Sequence, residues 1–483
     1  MATEPQTLSR QIKTALQPSC LNAENTSIRV VSVPDGKEIF SYNSDEALLP
    51  ASIQKVVTTA AALHYLGPEF RFTTDVRHTG KIEQGKIKGN LILKGGGDPT
   101  LNTERLWEIA RKLRQSGITE ITGNLIADVS YFDQYDRAPA WKVKRSQRAY
   151  DAKLSALSLN FNSVAVHVQP GDEVGDDLNV WLQPNPAYMQ LMNLGKTTKN
   201  TRKNHKRKGI WAQRKSVLAN QHLPIEVKGH LPVNASEQVF FLNVNNPAHY
   251  AIATFHGFLQ QQGIRVRDKV HISHDKVASA MLYRYKSAPL SIILKELNTY
   301  SSNFMAEQVL KTLAAEKTKQ AGSHENALSL VRQFLQQQDI SLQNIHLTDG
   351  SGLSRKNRFT ARAMTDLLVK TYPRFDIGPD FLSSLRVMGA SGAHSRRLKK
   401  SPAKGRVRGK TGTLHQVSTL AGYIPDRSGK NLYAFAFFLN KNRCGYRGAD
   451  KVEDAILHAL FQQGKDGQPH PLRNPPILSS LIQ

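Results

Sequence analysis

The sequence predicts a mixed α/β domain built from both ends of the chain and interrupted by a β-rich insertion from about residue 70 to residue 285. Three observations carry this reading. Apolar residues recur at helical spacing in SIQKVVTTAAALHYLG and again, beyond the insertion, in SAPLSIILKELNTYSSNFMAEQVLKTLAAEK. Strand-like runs stand at both ends, SIRVVSV and KEIFSYN early, STLAGYI and NLYAFAFFLN late. Between them the texture changes to short alternating runs split by glycine, as in KIKGNLILKGGGDPTL and ITGNLIADVSYFD.

Taken in order, Leu8, Ile12 and Leu16 share one face of a first helix, which the following strand, PDG turn and strand would cover. A helix is predicted from about Ser52 to Leu66, closed by Gly67-Pro68. After the insertion, ENALSLVRQFLQQQ and FTARAMTDLLVKTY read as helices, and DKVEDAILHALF closes the chain as another. The stretch from Lys196 to Lys215 carries nine Lys or Arg and no acid, and is read as a solvated loop. Its one aromatic, Trp211, is too little for a stacking surface on single-stranded nucleic acid.

At 483 residues the chain is too long for one ordinary core, and two or three domains are expected. The net charge of +26 favours anionic partners without choosing among them. Cys20 and Cys444 exclude a disulfide-rich scaffold and a cysteine metal cluster, and are read as two separate buried thiols in preference to one bridge. No His pair with metal-ligand spacing occurs, so neither metal nor other cofactor is implied. The opening MATEPQTLSRQIKTAL shows no secretory signal.

GRVRGKTGTL, residues 405–414, poses the question of a phosphate loop. That motif needs four residues between its glycines, and here there are three, with a strand-like run following where a helix should open. The alternative is acyl transfer. Ser52-Ile53-Gln54-Lys55 puts a hydroxyl and an amine on one face at a helix start, where the amine can take the hydroxyl proton if its pKa is depressed. The helix N-terminus would favour the oxyanion. Ser301-Ser302-Asn303 and Lys410-Thr411-Gly412 complete the S-x-x-K, S-x-N and K-T-G set of penicillin-binding proteins and β-lactamases. Ser301 is assigned to relay a proton to the leaving amine, and Asn303 to bind the substrate amide or Lys55. Lys410 would be the cation that keeps Lys55 neutral. Thr411 and Thr413 would hold a substrate carboxylate, and Gly412 would let an extended substrate lie along the strand edge.

With LLPASIQKVVTTAAAL, GNLILKGGGDPTL, ITGNLIADVSYFD, NTYSSNFMAEQVL, LTDGSGLSRKNRFTARAM, MGASGAHSRRL and GKTGTLHQVSTLAGYI, the chain resembles the low-molecular-mass class C penicillin-binding proteins, serine peptidases of family S13. The resemblance implies a penicillin-binding transpeptidase-like domain, an antiparallel sheet flanked by helices, with two inserted β-rich domains. The expected units are 1–70 with 285–483, then 71–150 with 232–284, and 151–231. It implies a D-alanyl-D-alanine carboxypeptidase and DD-endopeptidase acting on peptidoglycan stem peptides through a Ser52 acyl-enzyme. β-Lactams would be covalent inhibitors, and anionic envelope polymers possible electrostatic partners, with no nucleic acid. The location would be the periplasm or cell envelope, any export signal having been removed. A β-lactamase and a non-catalytic basic wall-binding protein are the alternatives; the long insertion opposes the first, the complete residue set the second.

The resemblance also places Trp141 and Tyr150 in the substrate site. Such proteins usually carry an acid two or three residues after the tryptophan, facing the substrate side chain. Here Trp141 is followed by Lys142, Val143, Lys144 and Arg145, so a weaker preference for a free side-chain amine is expected unless Asp151 takes the acid's position.

Overall fold

The computed structural model describes residues 4–463 apart from 140, 142–145, 200–208, 219–221, 268 and 391–396. At its centre is a six-stranded sheet in the order Arg386–Val387, Arg408–Leu414, Val417–Pro425, Leu432–Leu439, Thr26–Ser32, Glu38–Tyr42. All its pairings are antiparallel. The central junction, Thr26–Ser32 against Leu432–Leu439, joins the two ends of the sequence in one sheet.

The strand Leu432–Leu439 shows why both faces are covered. Side chains alternate across a pleat, so Phe435, Phe437 and Leu439 enter one apolar cluster while Ala434, Ala436 and Phe438 enter the other. The first cluster is closed by Leu8 and Ile12 of the helix Glu4–Ala15 and by the helix Gly445–Phe461. The second is closed by the helices Gln54–Leu66, Leu290–Tyr300, Asn303–Thr318, His324–Gln337 and Ala361–Thr371. Cys20 and Cys444 form a disulfide, contrary to the expectation of separate thiols. The sheet explains it: the segment entering Thr26–Ser32 and the segment leaving Leu432–Leu439 meet at one end, where Arg443 N also donates to Cys20 O at 2.7 Å.

The insertion contributes four sheets. Val270–Ser273, Leu125–Asp128, Leu91–Gly95, Thr73–His78 and Ala280–Lys286 form a five-stranded sheet, with a four-stranded companion running from Arg265–Val266 to Lys81–Glu83. Two three-stranded sheets follow. One pairs Asn179–Gln183, Ser163–Gln169 and Gln238–Asn243; the other pairs Met189–Thr198, Leu223–Pro232 and Ile210–Arg214. One apolar cluster runs through the inserted residues from Val76 to Ile264, including the helices Thr103–Gln115 and Pro247–Gln261. Within the basic stretch read as a loop, Lys196 to Thr198 and Ile210 to Arg214 are strand, because each pairs with Leu223–Pro232; residues 200–208 lie outside the described ones.

The long helical run near 290–318 is two helices. Leu290–Tyr300 ends at Ser301, which has φ 55° and ψ 38°, and Ser302 then caps Asn303–Thr318 by accepting from Met305 N at 3.2 Å. This break turns a helix N-terminus, with Asn303 in its first turn, toward the start of Gln54–Leu66.

Candidate active site

The segment carrying Ser52 is a short 3₁₀ turn, Ala51–Ile53, running into the helix Gln54–Leu66. The helix is buried nearly all round, with Val56, Val57, Ala60, Ala61 and Leu63 in the core, and it stops at Gly67, whose φ of 79° suits a residue without a side chain. Ser52 makes no cap hydrogen bond. Its Oγ instead accepts from Lys55 Nζ at 3.1 Å, and that ammonium group also donates to Asn303 Oδ1 at 2.8 Å and Ser351 O at 2.6 Å. The residue before the serine, Ala51, sits at φ 46°, and Ser301 is likewise left-handed, so two strained backbone positions flank the chemistry.

Lys55 is fully buried, and burial lowers its pKa to about 8, with the carboxylates of Asp349 and Glu307 opposing the shift. The expectation that Lys410 keeps Lys55 neutral therefore needs correction: the main cause is desolvation. Mutual repulsion appears at the other partner. Burial pushes the Lys410 pKa well down, and the charges of Lys55 and Arg386 add to it. Two buried carboxylates, Asp349 and Glu307, stand near Lys55 and favour its charged form. Lys410 Nζ donates to Ser301 Oγ at 2.8 Å and Thr411 O at 2.7 Å.

Lys410, Thr411 and Gly412 lie on the strand Arg408–Leu414, which rules out a phosphate loop there. Its outer neighbour, Arg386–Val387, pairs only with Gly409 and Arg408, so among the described residues the edge from Lys410 onward is unpaired. Thr411 is half-buried and Thr413 exposed along that stretch. Gly412 also serves packing. A methyl group there would lie 2.2 Å from Thr419 Oγ1, 2.7 Å from Ser52 N and 3.0 Å from Pro50 O. Its missing side chain is what lets the strand pass beneath the serine turn, while Thr419 Oγ1 ties that turn down by donating to Pro50 O at 2.8 Å.

A third support was missed in the sequence: the D-G-S-G loop. Glu307, one turn after Asn303 and fully buried, accepts from Gly350 N and Ser351 N at 3.1 and 2.8 Å and contacts His324 Nε2 at 3.2 Å. Burial raises its carboxyl, but these partners outweigh it and hold the pKa below the ordinary value. Asp349 accepts from Gly352 N and Asn357 Nδ2, both at 2.8 Å, and from Ser354 N at 2.7 Å; burial and the Glu307 charge raise its pKa. Gly352, at φ 79°, packs where a methyl group would strike Ala51 O. The loop thus presents Ser351 O to Lys55 from a frame of buried carboxylates. Its sequence signal was the run DGSGLSR itself.

The two residues assigned from the inserted region separate. Tyr150 is exposed and lines one cavity with Ser301 and Asn303. Trp141 is buried, and its indole N–H donates to Asp349 Oδ2 at 2.9 Å, so this side chain holds the loop. Asp151 is engaged within its own loop. Its Oδ2 accepts from Ser146 N and Ser146 Oγ at 2.8 and 2.6 Å, and it lines a separate polar pocket with Arg214 and Lys153. Lys142 to Arg145 lie outside the described residues.

The family model for the D-Ala-D-Ala carboxypeptidase 3 (S13) family matches residues 8–460. The chain belongs to that family. A relative, the D-alanyl-D-alanine carboxypeptidase of Actinomadura sp. (strain R39), is 30% identical over 473 residues, covering 94% of this chain and 84% of its own. The crystal structure of penicillin binding protein 4 (dacB) from Haemophilus influenzae superposes with a TM-score of 0.78 at 26% identity, covering 95% of this chain and all of that one. A second structure of that protein, complexed with a novel beta-lactam, gives a TM-score of 0.72 at 25% identity over 94% and 98%. The S13 match and these superpositions agree with the mixed α/β fold and antiparallel sheet expected from the sequence. Among the described residues no helix is long and apolar enough to cross a membrane.

Proposed function

We propose that this chain is a serine D-alanyl-D-alanine carboxypeptidase, with DD-endopeptidase activity on the same site, acting on peptidoglycan stem peptides. The observation that carries the reading is Lys55 Nζ held between Ser52 Oγ and Asn303 Oδ1. Neutral Lys55 takes the Ser52 proton as Oγ attacks the carbonyl of the penultimate D-alanine. The Ser52 N–H, at the start of the helical segment, faces the developing oxyanion. Collapse expels the terminal residue as an amine, which receives its proton through Ser301, with Lys410 behind that hydroxyl. Water then cleaves the Ser52 ester and restores the enzyme. Thr411, Thr413 and Lys410 hold the substrate carboxylate, and Tyr150 borders the cleft.

A strained β-lactam amide offers the same carbonyl without a leaving group that departs, so penicillins acylate Ser52. The related penicillin binding protein 4 with a bound β-lactam supports this. We assign the work to three units: residues 1–70 with 285–483 for chemistry, 71–150 with 232–284, and 151–231, where the pairing of Gln238–Asn243 with Ser163–Gln169 favours carrying the third unit on to about Asn243. The cell envelope is the location this substrate requires. Association with anionic wall polymer rests on the net charge of +26. Lys196, Lys215 and Lys228 are already paired with Asp177 or Glu226, so that attraction belongs to the charge as a whole.

The test is labelling with a fluorescent penicillin beside D-alanine release from a pentapeptide ending in D-Ala-D-Ala. A stable label at Ser52 with D-alanine release is the expected result. Transient label with turnover of the penicillin would make the protein a β-lactamase, and neither label nor release would leave a binding protein.

A further inference from the structure

Beyond Ser301 and Asn303 the cleft continues into a groove of about 880 Å³, large enough for a ligand well beyond a D-Ala-D-Ala end. Besides Tyr150, three aromatic rings on its walls, Phe161, Phe241 and Tyr300, are 46%, 59% and 78% exposed. They come from unconnected places: a turn, the strand Gln238–Asn243 and the last residue of the helix before Ser301. Exposed apolar rings gathered in one concavity mark a binding surface.

Two further features define the ligand. Asn160, Phe161 and Asn162 all have positive φ, at 48°, 54° and 53°, a costly run for residues with side chains. The run holds the Phe161 ring at the groove, edge-on to Phe304 at 6.2 Å. The second feature is charge. In a chain of net charge +26, the described residues lining this groove include Glu104 and Glu296 and no Lys or Arg. Such a groove disfavours an anionic wall polymer and a second stem peptide with its free carboxylates. It suits a neutral ligand with an apolar C–H face for the electron-rich ring faces and hydroxyl or amide N–H groups for the two carboxylates.

We propose that this groove is a glycan subsite, which takes a neutral N-acetylated amino sugar of the strand bearing the stem peptide that is cut. The inference rests on the acyl-enzyme reading above and deepens it. A stem of about four residues spans at most roughly 14 Å. A sugar at its far end can therefore touch the enzyme during cleavage only on surface close to Ser52, and the groove begins at Ser301.

The test compares kcat/KM for a disaccharide-pentapeptide with that for the free pentapeptide, in wild type and in Phe241→Ala, whose exposed strand position tolerates truncation. A wild-type preference of roughly five- to tenfold for the glycan-bearing substrate, falling toward one in Phe241→Ala, is the expected result. Equal values in wild type, or a preference unchanged in Phe241→Ala, would overturn it. Direct titration with chitotetraose, followed by saturation-transfer NMR, tests the groove apart from turnover: binding weakened in Phe241→Ala supports it, and no binding or unaltered binding opposes it. Absence from wild type of both peptide cleavage and penicillin labelling would instead count against the acyl-enzyme reading, and the chitotetraose result would still decide the groove.

Discussion

Lys55 Nζ lies 3.1 Å from Ser52 Oγ, and the same nitrogen is fixed from two other directions by Asn303 Oδ1 and Ser351 O. A base held by three acceptors on three different segments has its geometry set before substrate binds, but those acceptors also favour its protonated form. With the pKa at about 8, Lys55 is mostly charged at neutral pH. Since only the neutral amine can accept the serine proton, we expect penicillin acylation to quicken as pH rises through about 8 and then level off. Stopped-flow acylation across pH 6 to 10 checks this, and a rate that falls over that range would exclude Lys55 as the base.

Lys55→Ala should slow acylation by roughly 10²–10⁴. Ser52→Ala should abolish labelling without a measurable loss of thermal stability, because Ser52 makes no cap hydrogen bond. Retained labelling in Ser52→Ala, seen on a gel, would assign the nucleophile elsewhere.

Glu307 acts on the base at a distance, through the loop and through its charge. Glu307→Gln removes a carboxylate that raises the Lys55 pKa, so the acylation profile should move to lower pH. It also weakens the clamp on Gly350 and Ser351, with a stability loss of about 1–3 kcal/mol. A purely structural role would lower the melting temperature and leave the profile's midpoint in place.

Gly412→Ala puts a methyl group 2.2 Å from Thr419 Oγ1 and 2.7 Å from Ser52 N. The strand or the serine turn must shift, which costs about 1–3 kcal/mol and displaces the nucleophile, so kcat/KM should fall by about 10²-fold or more. Thermal melting and peptide hydrolysis measure the two effects; near-wild-type hydrolysis would show that the turn has room to adjust.

The Cys20–Cys444 bridge spans a sequence separation of 424, so it constrains the unfolded chain strongly. Replacing both cysteines by serine should cost about 2–4 kcal/mol of stability. Calorimetry of the double variant checks the cost, and thiol titration of the native protein under denaturing conditions should find no free cysteine.

The parts of this site that stood out in the sequence are those with short, fixed spacing. Ser52 and Lys55 are one helical turn apart, Ser301 and Asn303 flank a single residue, and Lys410 to Thr413 are contiguous on a strand, so each motif was complete within its own segment. The helix Gln54–Leu66 and the central strands were legible for a similar reason, because apolar periodicity and a Gly-Pro stop are local. The strands between residues 163 and 243 were not resolved as sheets: Met189–Thr198 pairs in parallel with Leu223–Pro232, and no local turn announces such a partner.

By itself the sequence determined the fold class, the family resemblance and the candidate nucleophile, since these depend on residue order and periodicity. Only the tertiary structure decided which groups tune Lys55, that Gly412 serves packing beneath Ser52, that Trp141 holds the D-G-S-G loop, and that Cys20 meets Cys444. Each of these joins positions far apart in the chain, Glu307 to Ser351 or Trp141 to Asp349. Burial, which lowers the Lys55 pKa and turns an unpaired donor or acceptor into a cost, belongs to the packed core as a whole, so no single segment of the sequence contains it.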